Sequence, residues 1–382
     1  MRTAVITGCG VVSPLGDGVP AFWEGLLSGR SAVRPFAGFP AHDLSPANGA
    51  EVCAPTEDPD RAGAFALRAA SEALSDAGLA GTLPGRTGVA LGTTLGGMLL
   101  FEAWDAGTLS GSALGAVPYY APAARLARTL GCRGPVATPQ LACASGTWAI
   151  GLAASWVRAG RTDVVLAGGT DLLCRFVVSG FNSLKATAPE ARPFDRDRRG
   201  LVLGEGAAVV VVESAAHAAA RGARVRARIA GMGAAGDAVH MTAPDREGRG
   251  AARAISAALV DAGLAPADVG FVSAHGTGTP YNDAMEAVAI GRVFGAGRVP
   301  VNSIKGAIGH TLGAAGAFET VLCIGVMESG RVPPTAGLQH VDPTCAAIDL
   351  VHGSARSIST RVSVSTSSGF AGANAALVLA AA

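Results

Sequence analysis

Lysine is almost absent from this chain. Of 30 basic residues only Lys185 and Lys305 are lysines, and arginine supplies the rest. A lysine that survives such a bias draws attention to its position. Charge of either sign is sparse at 15% of residues, against about 25% in an average soluble domain. The net charge is +1. No strong field draws in nucleic acid or an anionic membrane, so neither is expected as a partner. No Cys-x-x-Cys pair occurs among Cys9, Cys53, Cys132, Cys143, Cys174, Cys323 and Cys345. An odd number without such pairs points to a reducing compartment, not to a disulfide framework. The opening MRTAVITGCGVVSP lacks the apolar core of a secretory signal, and a cytoplasmic location is expected. Two long stretches have no charge, residues 134–157 and 362–382, each long enough to span a bilayer. Pro135, Pro139 and Gln140 interrupt the first, and five Ser/Thr with Asn374 interrupt the second. Neither has a flanking basic cluster, so both are expected as buried core and not as membrane spans. The 49% hydrophobic content excludes disorder. The 382 residues allow two domains or one large double unit.

An internal repeat supports the second option. ASEALSDAGLA at 70–80 and ISAALVDAGLA at 255–265 agree at eight of eleven positions. Both read as helix ends closed by a C-cap glycine, Gly78 or Gly263. Each leads into a short strand, GVALGTT or GFVSAHGT. A weaker correspondence joins 137–158 to 301–330, each a strand, a turn and an apolar helix, with the turns around Cys143 and His310. Further strands are TAVITG, VVLAGG, AAVVVVE and RVSVST. Apolar β-rich runs alternating with buried helices predict a layered α/β fold. The arginine-rich RGARVRARI near 221–229 marks the expected junction, giving an N-terminal half at 1–225 and a C-terminal half at 226–382.

Three motifs carry chemistry. ACASG places Cys143 just ahead of a buried helix. A helix N-terminus offers free N–H groups and roughly half a positive charge, which is expected to lower the thiol's pKa and make a nucleophile. The other six cysteines read as inert and buried. SAHGTGTP places His275 after the repeat's strand. NSIKGAIGHTLGAAG supplies Lys305 and His310, and Glu319 lies two turns into the helix that follows. His42, His217, His340 and His352 sit in no such motif, and His240 in DAVHMTAPD is a candidate for lining an entrance. No close pair of metal ligands exists in the sequence to nucleate a zinc site from Cys143, His275 and His310, and no metal is expected. GCGVVSPLG has Ser13 and then Pro14 where a dinucleotide fingerprint has its third glycine, which excludes that reading.

In this order, VITGCGVVSPLG, GVALGTTLGG, ACASGTWAIG, RPFDRDRRGLVLGEGA, HMTAPD, AHGTGTP, NSIKGAIGHTLGAAGAFE and SSGFAGANAALVL resemble the β-ketoacyl-acyl-carrier-protein synthases. These are the elongating, Cys-His-His condensing enzymes of the thiolase superfamily. The resemblance runs the whole length and implies a thiolase-like, five-layered αβαβα fold from two duplicated halves. It implies a Claisen condensation in which Cys143 takes an acyl group and a malonyl-carrier thioester is decarboxylated. His275 and His310 would hold the malonyl carbonyl as neutral Nε2–H donors, with the helix N-terminus depressing the pKa of His310. Lys305 would organise the His310 side of the site with Glu319 as its ion partner. The backbone N–H groups of Cys143 and Phe370 would form the oxyanion hole. Thr277 and Thr279 would bind the pantetheine arm, Phe370 would gate the acyl pocket, and Leu95 would help set its depth. No cofactor is tightly bound on this reading, because phosphopantetheine arrives on an acyl carrier protein. The resemblance also implies a dimer, either a homodimer or a heterodimer with a chain-length-factor-like subunit. The alternatives are a non-catalytic partner subunit that shapes a pocket, and a superfamily acyltransferase or hydrolase. Intact Cys143 argues against the former.

The chain departs from the family pattern at several points. Ser368 stands where Phe is usual, Ala371 where Gly is usual, Leu141 where Thr is commoner, and Asp171 where Glu is frequent. Ser368 removes an aromatic wall, and Ala371 is expected to stiffen the loop beside Phe370. These changes point to a specialised pathway such as type II polyketide or polyene synthesis.

Overall fold

Ten strands carry most of the apolar runs, in a computed structural model that describes residues 2–53, 58–81 and 83–382. The first five are β1 (Ala4–Ser13), β2 (Gly88–Gly92), β3 (Val136–Ala137), β4 (Val164–Asp171) and β5 (Gly206–Ser214). The second five are β6 (Ala227–Gly236), β7 (Phe271–Ser273), β8 (Pro300–Asn302), β9 (Val362–Gly369) and β10 (Ala373–Ala380). In space the first set runs β1-β5-β4-β2-β3 and the second β6-β10-β9-β7-β8. The order is the same in both, and so is the pattern of two antiparallel pairings followed by two parallel ones. Equal topology in the two halves is what a duplicated chain predicts. The sheets join edge to edge at two residue pairs, Val5 with Arg228 and Ile6 with Ala227. β1 and β5 are buried along their whole length, which explains apolar runs without alternation.

Five helices complete the layers: α1 (Arg61–Asp76), α2 (Ser145–Arg158), α3 (Arg249–Ala262), α4 (Pro280–Phe294) and α5 (Ala315–Ser329). α1 covers β1 and β5, and α3 covers β6 and β10. α2 and α5 pack on each other and on the inner faces of the two sheets, giving the αβαβα arrangement. The repeated helices α1 and α3 end at Gly78 (φ 68°) and Gly263 (φ 67°), left-handed positions that glycine adopts without strain. The helix Leu312–Ser329 is long and apolar enough to cross a membrane, yet 78% of it is buried in this fold.

The first strand of each half carries Gly-x-Gly for a packing reason. A Cβ on Gly8 or Gly10 would lie 2.1 Å from the Ala73 carbonyl oxygen or 1.9 Å from that of Ala69 on α1. A Cβ on Gly231 or Gly233 would lie 2.2 Å from the Ala258 oxygen or 2.1 Å from that of Ala254 on α3. Helix and strand touch backbone to backbone at equivalent places in the two halves. Gly233→Ala therefore forces the layers apart and costs about 1–3 kcal/mol. Thermal unfolding should show a clear drop in Tm, and an unchanged Tm would contradict this close approach.

Candidate active site

The two central helices bring their N-terminal ends together because glycine lines the contact. A Cβ on Gly146 of α2 would lie 2.7 Å from the Gly313 oxygen, and one on Gly316 of α5 would lie 1.8 Å from the Thr147 hydroxyl. Cys143 precedes α2 in a tight turn with Ala142 at φ 47°. His310 precedes α5 in another, with Leu312 at φ 51°. Left-handed backbone at non-glycine residues costs roughly 1–2 kcal/mol, so both turns are held by the packing around them. The His310 amide donates to the Val202 carbonyl at 2.6 Å, and its carbonyl accepts from the Gly204 amide at 2.9 Å. The motif around residues 192–207 thus clamps His310 from the other half. His275 follows β7.

One thiol sulfur and two ring nitrogens, from Cys143, His275 and His310, lie within 4.8 Å of one another, all buried. The imidazoles meet edge to face with centroids 5.1 Å apart. Lys305 Nζ lies 3.3 Å from His275 Nδ1 and 2.5 Å from Glu319 Oε1. Because an ammonium only donates, His275 Nδ1 is the acceptor and Nε2 carries the hydrogen. Lys305 therefore organises the His275 side, which corrects the expectation that it serves His310. Among the described residues this is the one Cys/His/Asp/Glu cluster spaced to hold a metal, though a cation there would sit beside the Lys305 ammonium.

A cavity of about 370 Å³ opens onto these groups. Cys143, His275, Thr277, Thr279, His310 and Phe370 all line it. Thr277 and Thr279 pair their hydroxyls at 2.9 Å. The Phe370 ring stacks on Phe181 with centroids 5.7 Å apart. A Cβ on Gly369 would lie 3.2 Å from the Cys143 nitrogen, so the loop carrying Phe370 runs directly beside the Cys143 amide. Leu95 does not reach the cavity wall. It is buried beside Leu201, Leu203 and Leu312, which corrects its placement in the pocket. His240 also stays off the wall, accepting at Nδ1 from the Thr242 and Ala243 amides at 3.1 and 3.2 Å. It caps the turn whose Thr242, Ala243 and Pro244 do line the cavity. Lys185, the other surviving lysine, lies at the cavity's exposed rim.

Electrostatics revise two expectations. Burial pushes the Cys143 thiol up to about 12, against the lowering by the Lys305 ammonium. The resting group is a thiol and not the thiolate expected from a helix N-terminus, because loss of water outweighs the amide ends. Alkylation of Cys143 by iodoacetamide, followed by peptide mass, should therefore accelerate roughly tenfold per pH unit from 7 to 10. A plateau below pH 8 would contradict the raised pKa. Burial first, and Lys305 second, hold both histidines well below the ordinary imidazole range. They are neutral as expected, though burial and not the helix end is the main cause at His310. Cys53 is exposed, not buried, and its sulfur accepts from Arg34 Nη1 at 2.9 Å.

Three buried carboxylates escaped the sequence reading of the site. Glu286 accepts from the His275 and Gly276 amides at 2.6 and 2.7 Å, and burial raises it to about 7. Asp283 accepts from the Thr277 and Phe194 amides at 3.0 and 2.7 Å. Both lie on α4, where two acids three residues apart in a largely apolar helix were the available signal. Asp171, noted only as a departure, ties the amides of Thr94 and Leu95 to that of Gly313 at 2.9, 2.9 and 2.6 Å. It links the Cys143 half to the turn after His310. Ala371 sits at φ 62°, so the residue expected to stiffen the loop also strains it.

Residues 1–218 match the family model described as "Beta-ketoacyl synthase, N-terminal domain", and residues 226–339 match "Beta-ketoacyl synthase, C-terminal domain". Nodulation protein E of Rhizobium sp. (strain N33) is 41% identical, with 98% of each chain covered. The 3-oxoacyl-[acyl-carrier-protein] synthase 2 of Coxiella burnetii is 38% identical over 99% of this chain and 98% of its own length. Among solved structures, "The ishigamide ketosynthase/chain length factor" superposes with a TM-score of 0.93 at 36% identity, covering 100% of this chain and 99% of that one. A type II PKS acyl-carrier protein in complex with its ketosynthase bound to the hexaketide gives a TM-score of 0.94 at 32% identity, with the same coverage.

Proposed function

The chain belongs to the β-ketoacyl synthase family, and from that membership we propose that its buried Cys143, His275 and His310 carry out a decarboxylative Claisen condensation. It is a condensing enzyme of the acyltransferase type. The observation that carries the assignment of residues is the convergence of these three side chains, from both halves, on one cavity. We place the nucleophile half at 1–225 and the histidine half at 226–382.

In the first half-reaction Cys143 Sγ attacks the acyl thioester of a carrier's phosphopantetheine. The carbonyl oxygen gathers charge against the Cys143 and Phe370 N–H groups. Donors so aimed contribute typically a few kcal/mol each. The carbon–sulfur bond to pantetheine breaks, and the departing sulfur takes the proton that Cys143 loses. His310 carries that proton: its Nδ1 has no partner among the described residues, so nothing there pins its tautomer. In the second half-reaction a malonyl thioester enters and loses CO2. The electron pair of the broken carbon–carbon bond passes to an enolate whose oxygen lies between the two imidazole Nε2–H groups. His275 keeps that hydrogen because Lys305 occupies its Nδ1. The carbanion attacks the acyl carbonyl on Cys143, a carbon–carbon bond forms, and the released sulfur is reprotonated from solvent through His310. The products are a 3-ketoacyl carrier and CO2.

Thr277 and Thr279 hold the pantetheine arm, and Phe370 closes the acyl pocket. No tightly bound cofactor enters this scheme. The partners are an acyl carrier protein and a second subunit, either a copy of this chain or a chain-length-factor-like protein of the kind named for a structural neighbour. The departures at residues 368 and 371 favour type II polyketide or polyene synthesis over housekeeping fatty-acid synthesis. The test is stoichiometric. With acyl and malonyl carriers, each 3-ketoacyl product should accompany one CO2. Free acid released without CO2 would make the protein a hydrolase instead.

A further inference from the structure

The cavity that holds Cys143 has a polar wall with a fixed direction. Ser368 and Asn374 are cross-strand partners in the β9–β10 hairpin. Ser368 Oγ lies 2.8 Å from Asn374 Oδ1, and Asn374 Nδ2 lies 2.8 Å from Asp237 Oδ1 and 3.1 Å from the Gly372 carbonyl oxygen. All three side chains line the cavity. The order of donors follows from inventory. An ionised carboxylate and a backbone carbonyl only accept, so the Asn374 amide group must face Asp237 and Gly372. That turns its carbonyl oxygen to Ser368, which must then donate its single hydrogen. The hydroxyl oxygen of Ser368 is left with lone pairs alone, on a half-buried side chain in the cavity wall. The phenylalanine expected from the family pattern could neither satisfy Asn374 nor offer an acceptor.

We propose that Ser368 is a specificity-determining residue that accepts a hydrogen bond from an O–H or N–H donor of the bound thioester. The donor has two sources, a hydroxyl on the acyl chain or the amide nearest the sulfur of the pantetheine arm. The inference rests on the reading of Cys143 as the acyl-carrying residue. A group built to accept rejects an analogue lacking the donor, because the acceptor is then left unpaired.

The experiment compares matched thioesters as acyl donors to Cys143, read as kcat/KM by intact-protein mass. One pair is 3-hydroxybutyryl- and butyryl-pantetheine. The other is butyryl-pantetheine and its analogue with an ester in place of the amide nearest the sulfur. The wild type should prefer the donor-bearing member of one pair. Ser368→Ala should cut that preference by about 3- to 10-fold, and Ser368→Thr, which keeps the hydroxyl, should retain it. A change in the first pair assigns the contact to the acyl chain, and a change in the second assigns it to the arm. Equal preference in wild type and Ser368→Ala for both pairs overturns the role of Ser368 while acylation of Cys143 still stands. Absence of any acyl adduct in the wild type overturns both readings.

Discussion

Cys143→Ala should lose condensation by at least about 10⁴-fold, since a nucleophile that forms the covalent intermediate has no substitute in the cavity. Cys143→Gln should lose condensation equally but retain decarboxylation of malonyl carrier. The reason is geometric. The backbone N–H at 143 survives the change, and the glutamine amide fills the space of the acyl thioester with its carbonyl oxygen toward the Cys143 and Phe370 amides. The malonyl side of the cavity then meets a surface like that of the acylated enzyme, and His275 and His310 are untouched. Release of CO2 from malonyl carrier, measured for both variants without an acyl donor, separates the steps. Normal condensation by the glutamine variant would show that Cys143 is not the nucleophile.

The second large effect falls on the histidines. His275→Ala and His310→Ala should each slow decarboxylation roughly 10²–10³-fold, the usual loss when one donor to a developing oxyanion is removed. They should differ in acylation. On the proposed mechanism His275, whose Nδ1 faces the Lys305 ammonium, serves the enolate alone, so its alanine variant should still load Cys143. On the same mechanism His310, whose Nδ1 has no partner among the described residues, also moves the Cys143 proton, so its variant should load slowly. Unchanged CO2 release in either variant would remove that residue from the decarboxylation step.

Much of this arrangement was legible in the sequence because it is local. Glycine caps at 78 and 263, the two turns before α2 and α5, and the repeated helix-to-strand unit in each half all follow from short stretches of chain. What was not legible depends on what packs across the fold. The thiol of Cys143 looked activated by its helix, but the water it loses is decided by elements far away in sequence, and burial wins. Lys305 is five residues from His310 yet reaches His275, thirty residues back, because its turn lies against the His275 loop. Leu95 adjoins the Asp171 carboxylate that draws the 93–95 segment inward, so it joins the core beneath the cavity. Glu286 and Asp283 stand out only once α4 is placed against the 275–277 loop whose amides they accept from.

The central claim is that an acyl group rests on Cys143 between two chemical steps. Its most direct test is to incubate the protein with an acyl carrier, locate the adduct by peptide mass, then add malonyl carrier and follow the adduct, CO2 and product together. The account predicts one acyl group on Cys143, disappearing at the rate at which CO2 and 3-ketoacyl carrier form. An adduct on exposed Cys53 instead, or 3-ketoacyl product formed while Cys143 stays unmodified, would contradict it.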